Sequence, residues 1–223
     1  MSLVFNGAQH ATSTTASHIL GTGAWTTMAW VKVFSTGATA TMSIISEQDT
    51  GRRQGLDIRY VNGTIVVERG TYFMVLLLIP SYRSTTISST SPISLNEYHH
   101  IAVSWSGTTL TLYVDGVQQS TANTPSGDQI VGSSSNTWGA RKTANATWDQ
   151  YFQGEILDYR KYTVALPADI ISTIATCSGL DFITQNLAYR YFMFGVAGTN
   201  ATQVDDWSNN NFDRSITSIL PFG

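Results

Sequence analysis

Residues 98–121, YHHIAVSWSGTTLTLYVDGVQQST, constrain what this chain can fold into more than any other stretch. Ile101, Val103 and Trp105 alternate with Ala102 and Ser104. That is the period of a half-buried strand, whose successive side chains leave opposite faces. Ser106-Gly107 reads as a tight turn, and Leu110, Leu112 and Val114 resume the alternation beyond it. Asp115-Gly116 is a hairpin signal, because a type I′ turn needs positive φ at both central residues. Residues 117–121 return as a third strand. This meander is expected in the middle of a sheet, with the other strands placed around it.

The rest of the chain supplies those strands. Residues 3–5 form a short one closed by Asn6-Gly7, and WTTMAWVKV over 25–33 forms one with a strongly buried face. Residues 43–46 form another, followed by a polar loop over 47–54. Residues 56–60 and 64–68 flank Asn62-Gly63, a second hairpin. The apolar run 73–79 is expected as a strand buried on both faces. The Ser/Thr-rich residues 81–94 are expected as exposed loop. Turn formers fill 122–136 around one weak strand near Ile130, and strands follow at 137–141 and 151–162. Residues 164–175 are the one helix: Pro167 suits a first turn, Asp169 the positive end of the helix dipole, and Ile170, Ile171 and Ile174 share a stripe. A dozen short strands and one small helix predict an all-β, two-sheet antiparallel jelly-roll sandwich.

Composition excludes several classes. The net charge of −3 gives no basic footprint for nucleic acid. The longest apolar run ends at Pro80, far short of the ~20 residues that span a bilayer, so no membrane insertion is expected. Cys177 is the single cysteine, which rules out an internal disulfide and is expected as a small buried hydrophobe. MSLVFNGAQH lacks the pattern of a secretory leader, so synthesis in a cytoplasm is expected.

Several of these segments, in order, resemble the laminin-G-like, concanavalin A-like lectin/glucanase jelly rolls, especially the bacterial and phage branch. Leu3-Val-Phe-Asn-Gly7 is similar to the family's opening strand, and residues 25–32 to its Ala-Trp-Val-Lys strand. Residues 98–103 and 110–116 are similar to its most recognisable hairpin. Gly139-Ala-Arg141, Phe152-Gln-Gly-Glu-Ile156 and residues 158–162 resemble its closing strand, and residues 165–170 the helix after it. The segment that commonly opens such domains stands here at the other end, over 187–194, 195–199 and 204–211. The resemblance therefore implies one domain over 1–223, with core motifs in 1–175. Residues 176–223 would add a closing strand to their own sheet or to a neighbouring subunit's; docking as an unrelated extension is the alternative.

Candidate sites are few. Glycosidases of this family carry Glu-X-Asp-X-X-Glu on one strand; Glu47-Gln-Asp49 is the nearest match, but Arg52 holds the third position. Asp57 has no acidic partner two residues away. His99 and His100 must face opposite sides of a strand, so they cannot chelate one ion. Sugar binding calls for aromatic faces beside polar side chains, which Trp138, Arg141, Trp148, Asp149 and Tyr151 offer. Trp148 stands out among them, lying among Asn, Thr and Asp with no strand pattern to bury it. The resemblance also raises a structural calcium, with Asp158 left of the family's two adjacent acids and Asp205 and Asp206 in the relocated segment; the last two suit turns equally. No other cofactor is implied. Function is expected to be non-catalytic and lectin-like: an adhesion or assembly module on a phage virion, with host-surface glycans, virion structural proteins and a homo-oligomer as partners. A soluble cytoplasmic carbohydrate-binding module is the alternative, and a glycoside hydrolase the third.

Overall fold

The computed structural model describes residues 2–13, 23–37, 40–49, 54–75, 79–123, 136–142, 147–177, 180–181, 183–192, 195–196 and 205–206. In chain order the strands are β1 (Leu3–Asn6), β2 (Ala11–Ser13), β3 (Trp25–Val33), β4 (Thr41–Asp49), β5 (Gln54–Val61), β6 (Thr64–Val75), β7 (Ile79–Ser88), β8 (Tyr98–Trp105), β9 (Thr109–Val114), β10 (Val117–Asn123), β11 (Asn136–Trp138), β12 (Arg141–Lys142), β13 (Trp148–Asp149) and β14 (Gln153–Tyr162). Helix α1 (Ala168–Thr176) precedes β15 (Leu187–Phe192), β16 (Gly195–Val196) and β17 (Asp205–Asp206). They build two antiparallel-dominated sheets of a jelly-roll sandwich and one small hairpin. The first sheet runs β10-β9-β8-β3-β14-β1-β16, with β15 on β14 and β17 on β15. The second runs β2-β11-β4-β5-β6-β7, and β12 pairs β13.

Both hairpin signals hold: Asn62, Gly63, Asp115 and Gly116 all have positive φ, as type I′ turns demand. The meander is real, but it forms one edge of the first sheet, and β3 and β14 occupy the centre. The reason is length and burial. Every described face of β3 is at least partly buried, whereas β10 is a polar strand with Val117 exposed. Two further expectations are corrected. Residues 73–75 end β6 and residue 79 begins β7, so the apolar run is divided between two paired strands, Val75 opposite Ile79; residues 81–88 continue as β7, paired along β6. Alternating Ser and Thr suit one exposed strand face as well as a loop, which is why composition misled.

The side chains between the sheets include Leu3, Phe5, Val31, Ile101, Val103, Trp105, Leu112 and Ile156 of the first sheet, packed on Ile45, Leu56, Ile58, Ile65 and Val67 of the second. One flank is closed where β10 meets β7, with Ser120 Oγ donating to Ser88 O at 2.6 Å. In β14 a bulge at Asp158 (φ 51°) breaks the alternation, so Ile156 and then Tyr159 and Lys161 face inward. β1 and β15 lie end to end along one side of β14, paired with Gln153–Ile156 and with Tyr159–Tyr162. Within this chain, the late segment thus pairs beside β14. Residues 193 and 194 lie outside the described part.

Helix α1 starts after Pro167, whose ψ of 152° is extended, so it is shorter at its beginning than residues 164–175 implied. Ile171 and Ile174 bury against Met28, Ala102, Tyr113 and Tyr162 on the outer face of the first sheet. The β9–β10 turn touches the same helix: a Cβ on Gly116 would stand 2.8 Å from Ser172 Cα. Cys177, expected buried, is exposed at the helix C-cap. Among the described residues no helix is long and apolar enough to cross a membrane.

Candidate functional site

The outer face of the second sheet is where polar chemistry collects. Leu56, Ile58 and Tyr60 of β5 and Ile65 and Val67 of β6 turn into the core, so Asp57, Arg59 and Glu68 turn out. Register aligns Thr12, Thr137, Ser46, Asp57, Glu68 and Thr86 in a single row across all six strands. An apolar row here would read as a second core face. Thr12, Thr137, Ser46 and Asp57 of this row are buried polar groups, and Glu68 and Thr86 are its members that reach solvent.

An excursion of the chain lies over part of this face. After β11 the strand leaves the sheet at Gly139, where a Cβ would come within 2.3 Å of the Phe5 ring and φ is +82°. Gly139 N donates to Ile44 O, and the chain returns with Gln150 O accepting from Ser43 N at 2.7 Å. Between these two pins on β4 stands the β12–β13 hairpin. Arg141 grips Asp149 at two points, Nε to Oδ1 at 3.0 Å and Nη2 to Oδ2 at 2.7 Å. This carboxylate raises the Arg141 pKa, and the guanidinium also acts electrostatically on Asp57 and Glu68. At the other end Trp148 stacks on His10, ring centroids 3.8 Å apart, and Lys142 Nζ lies 5.7 Å from the Trp148 centroid. Tyr151 approaches His10 with centroids 6.4 Å apart. Burial, with the Lys142 charge adding to it, pulls the His10 pKa down to about 4, so His10 is a neutral platform at pH 7.

Asp57 is the most perturbed acid in this region. It is 0% exposed, accepts from Ser43 Oγ at 2.6 Å, and stands 3.5 Å from Arg59 Nε. Burial outweighs these partners and pushes its carboxyl up to about 6. Arg59 Nη2 donates to Glu68 at 2.9 Å, so one guanidinium spans both carboxylates.

Of the five residues expected to meet sugar, the structure brings Arg141, Trp148, Asp149 and Tyr151 onto this excursion, each partly exposed. Trp138 is corrected: it is 2% exposed and packs edge-on against Tyr159 and Tyr191 between the sheets, so it offers no stacking face. His10, Arg59 and Glu68 were missed. Glu68 lies across from Asp57 on the next strand, a relation that a search along one strand cannot find.

The acid pattern at Glu47 is also corrected. Glu47 belongs to β4 rather than a loop and is 1% exposed in the core. Lys161 Nζ donates to its Oε2 at 2.5 Å and Tyr159 Oη to its Oε1 at 2.7 Å. It ties one sheet to the other and has no surface on which to meet a substrate; the Asp49 side chain lies outside the described part. Asp158 cannot serve calcium either, since the guanidiniums of Arg160 and Arg190 both hold it. The side chains of Asp205 and Asp206 lie outside the described part. Among the described residues no three of His, Cys, Asp and Glu gather as a metal would require.

One constellation has hydrolase composition. His99 Nδ1 lies 2.7 Å from Asp115 Oδ2 and His99 Nε2 2.8 Å from Ser94 Oγ. However, Ser94 Oγ donates its only proton to Glu97 Oε2 at 2.6 Å. The hydroxyl proton is thus directed to Glu97 and away from the ring, and the bond to Asp115 raises the His99 pKa. His100, on the opposite face as expected, is fully buried, and burial lowers its pKa to about 4.

Comparison with known proteins agrees with this architecture. A family model described as the concanavalin A-like lectin/glucanases superfamily matches residues 5–172. A carbohydrate-binding module, CBM40, of the Ruminococcus gnavus IT-sialidase, solved bound to α2,3-sialyllactose, superposes with a TM-score of 0.60 at 13% identity over 78% of this chain and 95% of its own. A candidate carbohydrate-binding protein from Bacteroides ovatus ATCC 8483 gives 0.64 at 13% identity over 99% of this chain and 61% of its own. A heptameric SAP-like pentraxin from Limulus polyphemus gives 0.54 at 18% identity over 79% of this chain and 82% of its own. A search of curated protein sequences returned no match.

Proposed function

The chain belongs to the concanavalin A-like lectin/glucanases superfamily, and from that premise we propose that it is a non-catalytic glycan-binding module. Its ligand lies on the outer face of the second sheet, against residues 139–142 and 147–151. The observation that carries this is the gathering of the partly exposed Trp148 and Tyr151 around His10 beside the Arg141–Asp149 fork. Aromatic faces take the apolar face of a pyranose ring, and fixed forks orient its hydroxyls. Catalysis is disfavoured because Glu47 is sealed in the core and Asp57 and Glu68 share Arg59.

The test is a glycan array probed with the wild-type chain and with Trp148→Ala. Binding that falls about tenfold or more in the variant is the expected result, on the scale of one lost aromatic anchor. Wild-type binding unchanged by Trp148→Ala moves the ligand elsewhere, and no binding to any glycan sinks the reading.

The finer proposal is that the module serves adhesion or decoration on a phage virion, as a homo-oligomer. It rests on the order of the family motifs and on the aromatic C-terminal segment. Mass spectrometry of purified particles and light scattering of the free protein test it: absence from particles, or a stable monomer at micromolar concentration, counts against it. A soluble carbohydrate-binding module is the second reading, supported by the likeness to the R. gnavus and B. ovatus proteins.

A further inference from the structure

Resting on the glycan reading above, we infer that this site takes an uncharged glycan and turns away one bearing a carboxylate or sulfate. The reason is where the charges lie. Asp57 and Glu68 are directly opposed across β5 and β6, so their side chains leave one face with Cβ atoms about 5 Å apart. One guanidinium serves both: Arg59 stands 2.9 Å from Glu68 and 3.5 Å from Asp57. The other, Arg141, is held at two points by Asp149. Neither guanidinium presents an unshared fork, and such a fork is what bidentate recognition of a sugar carboxylate requires. An incoming carboxylate has to displace Asp149 or Glu68 and then sit beside the group it displaced, where like charges repel in a half-buried site.

Among the described residues of β12 and β13 there is one further cation, Lys142. Lys142 follows Arg141 in β12, lies over Trp148, and its charge acts on His10; it is an ammonium without a planar fork. Among the described residues, the carboxylates of Asp57, Glu68 and Asp149 are therefore met by the guanidiniums of Arg59 and Arg141 and the ammonium of Lys142, so no surplus of positive charge draws an anion in. Ionised carboxylates only accept hydrogen bonds, so they are matched by donors. Sugar hydroxyls are donors; an anionic substituent is not.

Neutral oligosaccharides and the same compounds carrying terminal sialic acid or sulfate test the inference when probed side by side with the full chain at two salt concentrations. The uncharged member of each pair is expected to bind, and its anionic counterpart about tenfold more weakly or worse. That gap should narrow in high salt and again in Glu68→Gln, because both weaken the repulsion. Equal or tighter binding of the anionic members overturns this inference and leaves the glycan reading standing. Binding of neither set overturns both.

Discussion

At the scale of single residues, neighbouring histidines on one strand respond to pH with opposite signs. His100 is neutral in the folded chain because burial lowers its pKa to about 4 from about 6.5 in the unfolded chain. Its contribution to stability is whole above pH 6.5 and is lost as pH falls toward 4, by at most about 3 kcal/mol. His99 has the reverse linkage. Its raised pKa comes chiefly from Asp115, so its contribution is whole below pH 6.5 and fades as pH rises through the folded value. Denaturant midpoints measured from pH 4 to 9 should show His100→Gln flattening the acid side of the profile and His99→Gln the basic side. Identical profiles for both variants would remove the burial argument. Asp57 makes a third case. Its folded pKa of about 6 exceeds the unfolded value, so the ionised form costs stability as pH rises from about 4 through 6. Asp57→Asn is expected to match wild type at pH 4 and to exceed it by about 2 kcal/mol at pH 8. A variant less stable at pH 8 would mean that the Ser43 and Arg59 contacts outweigh desolvation.

At the scale of elements, two buried ion networks fix the strands around β14. Glu47 of β4 and Lys161 of β14 join the two sheets. Removing one partner strands a charge, so Lys161→Met alone should cost about 3–5 kcal/mol, while the Glu47→Leu/Lys161→Met pair should recover most of that loss. A double-mutant cycle in urea measures it, and a pair no better than the single variant would contradict it. The second network holds Asp158 between Arg160 and Arg190, with Arg160 also reaching Asp181 at 2.8 Å. It draws β15 and residue 181 onto β14, beyond the last residue of the family match. Deleting residues 180–223 should therefore expose Arg160 and Asp158 and lower thermal stability sharply; a truncated chain that melts with wild type would show that β15 is dispensable. Strand identity was legible here, because WTTMAWVKV and YHHIAVSW are rich in β-branched and aromatic residues, although both strands are buried almost throughout. The β6–β7 pairing was not, because the apolar run is shared between the two strands and the second is rich in Ser and Thr.

At the scale of the whole molecule, a core cluster with contributions from both sheets predicts one cooperative transition. Far-UV and near-UV circular dichroism should report coincident midpoints on heating. Separate midpoints would mean that the sheets unfold independently. The amino-acid sequence by itself determined the all-β class, the two type I′ turns, the resemblance to the superfamily and four residues of the candidate site. All of these depend on neighbours close along the chain: alternation, Asn-Gly and Asp-Gly pairs, and aromatic residues in a polar stretch. Tertiary structure alone decided that the meander lies at an edge, that Trp138 and Glu47 are sealed between the sheets, and that Asp57 stands opposite Glu68 within the electrostatic reach of Arg141. Those facts follow from which strand pairs with which and in what register. Strand pairing joins residues far apart in the chain, and a shift of one position reverses every side chain on a strand.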